Sequence, residues 1–197
     1  MTSKPKSNNN NGKSKASTSS STKKTGGSSS SKTEQWVILL MGFPGAGKSH
    51  IAKQLETKYG YVRINQDELG TCDECKKLLA KALRNGKSVC IDRCNIHPKE
   101  RKMWINETRM VLDDKSFRNF DLIWVSTSVD ECKRRAKERR NHPTLDTEKA
   151  DEVIDEFARG FKPPQPFEGY VNLFDVSDTA SGNSVLLQIA TRSIKSK

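Results

Sequence analysis

Four residues separate Gly42 from the run Gly47, Lys48 and Ser49, the spacing of a phosphate-binding loop, or P-loop. Glycines let the chain curl so that successive N–H groups point at phosphate oxygens, and a helix starting at the same place aims its positive end there. Lys48 has the reach for the β- and γ-phosphates of a nucleotide, and the Ser49 hydroxyl is a ligand type suited to Mg²⁺. Phosphoryl transfer asks a protein mainly for position and charge: a base for the acceptor's proton, a hold on the metal, and cations over the γ-phosphate. Asp67 is the candidate base. Asp92 is the candidate for holding the metal through water or orienting the acceptor. Arg135 and Arg139, four apart on one helix face, are candidates to close over the triphosphate, one as an arginine finger in cis.

The elements around these residues agree with that chemistry. Residues 36–41 are an apolar run, read as a strand that feeds the loop, and Ile51, Ala52, Leu55 and Tyr59 repeat at helical spacing up to a stop at Gly60. Further strands are expected over 61–64, 88–91, 122–126 and 171–176. Helices are expected from the stripe of Cys75, Leu78, Leu79, Ala82 and Leu83, from Pro98 onward, over 129–140 behind a Ser128/Glu131 capping box, around Ala150 to Phe157, and over 183–194. Strands alternating with helices predict an α/β fold of the P-loop NTPase/kinase kind, a parallel sheet flanked by helices on both faces. Ligands bind beyond the carboxyl ends of such strands, so Gly42, Asp67, Asp92 and Ser126 are expected to gather at one edge.

Composition divides the chain. Residues 1–33 are dominated by Ser, Thr, Asn, Gly and Lys, with almost nothing to bury, and read as a disordered tail; residues 34–197 read as one folded domain. The net charge of +11 overstates how basic that domain is, because seven lysines and no acid fall in the tail, leaving 28 basic against 24 acidic residues. Tail lysines either attract a polyanion or keep the segment soluble. The like charges crowded between Lys133 and Arg140 favour a polyanionic ligand over a merely solvated face. No apolar run is long enough for a membrane helix and no secretory h-region is present, so a soluble intracellular protein, nuclear or cytoplasmic and without a membrane partner, is expected. Five cysteines fit a reducing compartment. Zinc at Cys72, Cys75, Cys90 and Cys94 is disfavoured, since Cys75 falls in an apolar stripe and Cys90 inside a strand.

Taken in order, GFPGAGKS, INQDELG, CKKLLAKALRNGKSVCIDRCNIHPKERKMWI, ECKRRAKER and FKPPQPFEGY resemble the 5′-hydroxyl polynucleotide kinase domain of polynucleotide phosphatase/kinase enzymes, over residues 36–176. The Asp-Arg-Cys-Asn at 92–95 is similar to the variant in kinase domains fused to aprataxin-like proteins. The resemblance implies transfer of the ATP γ-phosphate to the 5′-OH end of DNA or RNA, with ATP and Mg²⁺ as cofactors and nucleic-acid repair as the setting. By position it implies Lys48 and Arg139 in catalysis with Asp67 as general base. It implies a nucleotide-binding set of Gly42, Pro44, Gly45, Ala46, Gly47, Lys48, Ser49, His50, Arg135 and Arg139, metal at Ser49 and Asp92, and acceptor contacts from Asp67, Asp92, Arg93 and Asn95. Residues 167–169 resemble the segment near the ATP base. Two positions depart from the family: Gln66 stands where its second motif has arginine, and Arg93 where the third has a small polar residue. No Asp-x-Asp phosphatase motif occurs, so the kinase function is expected alone.

Two other readings stay open on the residues: a small-molecule P-loop kinase, and a protein that binds nucleotide or nucleic acid without turnover. Oligomeric state is not fixed by the sequence; a monomer is the expectation.

Overall fold

The computed structural model describes residues 34–115, 117–138 and 149–195; the expected tail lies outside the described residues. Five strands, β1 (Val37–Met41), β2 (Val62–Asn65), β3 (Val89–Asp92), β4 (Phe120–Val125) and β5 (Asn172–Val176), form one sheet in the order β2-β3-β1-β4-β5, every pairing parallel. All five residues of β1 are buried, because a central strand of a parallel sheet is covered on both faces and reads as an unbroken apolar run.

Helices cover both faces. One is packed by α1 (Lys48–Tyr59), α5 (Val129–Glu138), α6 (Ala150–Gly160) and α7 (Thr179–Lys195), which lay Ile51, Leu55, Cys132, Ile154, Leu186 and Ile189 over Ile38, Leu40, Cys90 and Ile123. The other is packed by α3 (Cys72–Arg84) and α4 (Pro98–Val111), with Cys75, Leu79, Leu83, Trp104 and Ile105 over Val37, Leu39, Ile91 and Leu122. Cys75 and Cys90 therefore belong to opposite cores and are separated by the sheet itself.

Several boundaries differ from expectation, each for a local reason. β2 starts at Val62 because the Tyr61 N–H is spent on the Leu55 carbonyl in the turn that ends α1 (3.2 Å). α7 begins four residues early because Asp178 Oδ1 accepts from the Ser181 N–H at 2.7 Å, a side-chain cap the apolar pattern did not reveal. A four-residue helix, α2 (Gln66–Leu69), follows β2 directly; Asn65 Oδ1 caps it by accepting from the Glu68 N–H (3.1 Å).

Candidate active site

The loop between β1 and α1 is shaped by close packing at two glycines. A Cβ on Gly42 (φ +148°) would lie 2.6 Å from the Val125 carbonyl oxygen, and one on Gly45 (φ +82°) 2.6 Å from that of Cys132. Not every N–H in the loop is left for phosphate, contrary to expectation: that of Gly42 donates to the Cys94 carbonyl (3.0 Å) and that of Ala46 to Phe43 (3.1 Å). Those two residues shape the cradle. His50 and Ile51 return their N–H groups to the Gly47 carbonyl, so Lys48 and Ser49 supply the first-turn donors that an α-helix leaves without an internal acceptor. The Lys48 ammonium, nearly buried, donates to the Gly42 and Phe43 carbonyls at 3.1 and 2.7 Å, held at the rim of the cradle.

On one side of the loop opens a cavity of about 310 Å³. Pro44, Gly45, Gly47, Lys48 and Ser49 form one wall, Gln66, Asp67, Asp92, Arg93 and Cys94 another, and Val153 and Phe157 of α6 an apolar third. Asp67 is exposed on α2 and faces the same space as the loop. Gln66, where the family resemblance calls for arginine, lines it too, and its buried Oε1 has no hydrogen-bond partner.

Asp92 sits at the end of β3, 3% exposed, with its two oxygens divided between two tasks. Oδ2 accepts from Arg63 Nε and Nη2 (2.9 and 2.7 Å) and from Asn65 Nδ2 (2.9 Å), while Oδ1 accepts from the Ser49 hydroxyl at 3.3 Å. Ser49 Oγ and Asp92 Oδ1 are hard oxygen donors beside the phosphate cradle. That pair fits Mg²⁺, which keeps several of its waters rather than demanding a full protein cage. Burial opposes the Arg63 charge, but hydrogen bonds to Glu68 and Asp92 outweigh it and raise its pKa. Neither Arg63 nor Asn65 was expected from sequence: a charged residue within a short strand reads as an exposed one.

Asn95 is corrected from acceptor contact to structural pin. It is 1% exposed and absent from the cavity wall. Its Nδ2 donates to the Leu40 carbonyl (2.8 Å), its Oδ1 accepts from Trp104 Nε1 (3.2 Å), and its carbonyl accepts from Arg101 Nη1 (3.1 Å). A left-handed backbone (φ 47°) turns it inward. Arg93 does line the cavity, its guanidinium 5.7 Å from the centroid of the Trp104 ring. Residues 167–169 lie on neither cavity beside the loop; Glu168 instead forks onto fully buried Arg101 at 2.6 and 2.7 Å. Ser126 follows β4 at the expected edge but lines neither cavity, donating to Asp175, whereas its neighbour Thr127 donates to the Ala46 carbonyl at 2.9 Å.

Across the loop lies a second cavity, about 270 Å³, that shares Gly45 and Gly47 with the first and adds His50, Gln54, Thr127, Arg135 and the start of α7. Arg135 bridges Glu131 Oε1 (2.7 Å) and the Ala46 carbonyl (3.2 Å), so it lies against the loop. Arg139 lies outside the described residues. The charge argument for α5 needs correction: Lys133 pairs with Asp155, Arg134 with Glu131 and Glu138, and Lys137 with Asp151, so the described bases are neutralised by acids of α5 and α6. Arg134 and Arg135 hold the Glu131 carboxyl down to about 2. Among the described residues no helix is long and apolar enough to cross a membrane.

Residues 37–164 match the family described as the AAA domain. The chain is 44% identical over 72 residues to the bifunctional polynucleotide phosphatase/kinase of Schizosaccharomyces pombe, an overlap of 36% of this chain and 18% of that protein. It is 30% identical over 161 residues to Transcription factor bHLH140 of Arabidopsis thaliana, covering 77% of this chain and 17% of the relative. The chain thus spans less than a fifth of the length of either relative. In fold it is similar to a fungal RNA kinase, with a TM-score of 0.64 at 14% identity over 80% of this chain and 86% of that one. The resemblance to the polynucleotide kinase domain and the P-loop kinase architecture are both borne out.

Proposed function

The chain belongs to the AAA-domain family, and from that footing we propose that it is an ATP-dependent polynucleotide 5′-hydroxyl kinase. The observation that carries this reading is that Asp67 lines one cavity with Gly45, Gly47, Lys48 and Ser49, so a carboxylate faces the place where a terminal phosphate would rest. The second cavity, on the Arg135 side, takes the donor's nucleoside: its one carboxylate, Asp178, is already engaged as a cap for Ser181. The first, with Asp67 and Asp92, takes the acceptor.

In the reaction the acceptor's 5′ oxygen forms a bond to the γ-phosphorus, the bond from that phosphorus to the β–γ bridging oxygen breaks, and ADP leaves. The hydroxyl proton passes to the Asp67 carboxylate. Lys48 transfers its hydrogen bonds from the loop carbonyls to phosphate oxygens, and the N–H groups of Lys48 and Ser49 hold the transferring group. Ser49 Oγ and Asp92 Oδ1 are the oxygens that would hold Mg²⁺, which when bound would supply neutralisation of phosphate charge. Residues 34–197 act as the kinase unit, and the lysines of residues 1–33 add sequence-independent attraction to the nucleic acid.

The test is transfer of label from γ-labelled ATP to 5′-OH DNA and RNA oligonucleotides. Wild-type protein labels them, with acceptor KM rising steeply with salt, and Lys48→Ala does not. Equal labelling by Lys48→Ala, or turnover only with sugars or free nucleosides, defeats the proposal.

A further inference from the structure

Beyond Phe157 the acceptor cavity does not end. Glu100 and Phe157 line both it and an adjoining hollow of about 550 Å³, completed by Ile96, His97, Glu156 and Arg159 around the bare backbone of Gly160. Both volumes fall within the ~300–1,000 Å³ of ordinary ligand clefts. We infer that the second hollow seats the nucleoside that follows the 5′-terminal one, so that the acceptor is a single strand of at least two nucleotides. The inference rests on the kinase reading and specifies its substrate.

Three observations carry it. The floor is apolar and aromatic, Ile96 and Phe157, and an aromatic ring accepts the face of any base without regard to sequence. The rim supplies two nitrogen bases, His97 and Arg159, suited to a phosphodiester. Of the two acids present, Glu100 is engaged locally: its Oε2 accepts from the His97 N–H at 3.1 Å and its Oε1 lies 4.0 Å from Arg93. Glu156 is the remaining opposing charge on that rim. The geometry at Gly160 belongs to the same surface: a Cβ there would stand 3.0 Å from His97 Cε1, so the absence of a side chain lets the ring lie against the helix and keeps the hollow open. A small acceptor such as a sugar would fill the first cavity and have no use for this extension. A paired second base would present no free face to Phe157.

The experiment is steady-state kinetics of the full chain at saturating ATP with three acceptors of one sequence: a nucleoside 3′-monophosphate, a dinucleotide and a hexanucleotide. The dinucleotide is expected to exceed the mononucleotide in kcat/KM by about tenfold, the scale of one base stacked on an aromatic ring, and the gain to lie in KM. Because both short acceptors carry the phosphate that follows the first sugar, Arg159→Glu should lower kcat/KM for mono- and dinucleotide alike and Glu156→Lys raise it for both, with melting midpoints confirming that both variants fold. Equal kcat/KM for mono- and dinucleotide in the wild type, or values for both acceptors unmoved by either substitution, overturns the inference while leaving the kinase reading intact. Phosphorylation of none of the three defeats the kinase reading itself and this inference with it.

Discussion

Arg63 donates twice to a single oxygen of Asp92, at 2.9 and 2.7 Å, and so leaves the other oxygen to Ser49. The carboxylate beside the phosphate cradle is thereby aimed from behind by a strand neighbour, since the sheet register sets Asn65 level with Asp92 and places Arg63 two residues before it. The side chains are 7% and 2% exposed, so breaking the pair leaves a nearly buried charge without its counterion. Arg63→Met is expected to cost about 3–5 kcal/mol of stability. Adding Asp92→Asn should recover part of that loss, because the stranded group is then neutral. Chemical denaturation measures both; an Arg63→Met protein as stable as wild type would refute the assignment.

Asp67 stands exposed on its own short helix, opposite the loop. Asp67→Asn should therefore lower kcat by about 10²–10⁴, the range for a positioned base, without changing ATP affinity or melting temperature. Separate titration of nucleotide binding tests this: a parallel loss of ATP affinity would make Asp67 part of the donor site.

Gly45→Ala places a methyl group 2.6 Å from the Cys132 carbonyl at a left-handed position. Overpacking of this kind costs about 1–3 kcal/mol. Since that carbonyl is backbone, relief has to come from the loop, and ATP affinity should fall together with stability. Calorimetry of both quantities decides; unaltered affinity would show that the loop tolerates the extra carbon.

How much of this was legible in the sequence depends on range. The loop, its helix and the placement of Asp67 and Asp92 follow from local spacing plus one rule about strand ends, and they stand where that rule puts them. Arg63, Asn65 and the Arg101–Glu168 fork did not show, because their partners are 29, 27 and 67 residues away and become neighbours only through register and helix docking. The basic stretch of α5 misled for the same reason: two of the acids that balance it, Asp151 and Asp155, belong to the next helix. Asn95 shared its motif with Asp92 but was turned inward by its backbone, which no side-chain pattern records.

Thiol chemistry separates two cysteines near the loop. Burial pushes the Cys132 thiol from near 9 up to about 11, while Cys94 lines the cavity that Asp67 faces. At pH 8 Cys94 should be alkylated and Cys132 spared, with nucleotide and acceptor slowing the reaction at Cys94, as read by peptide mass mapping. The same shift gives a stability trend. Between about pH 9 and about 11 the unfolded chain releases the Cys132 proton before the folded one does, so stability should decline as pH rises through that window. Cys132→Ala should flatten this part of the profile; an unchanged alkaline slope would assign it elsewhere.

Gly45 and Gly47 are a partition with a room on either side. With a donor in one and an acceptor in the other, as proposed above, neither waits for its partner, and the kinetics expected are sequential and random in order, with both present at once. No side chain of nucleophilic character need carry the group between them. Either spent partner can depart while the other remains.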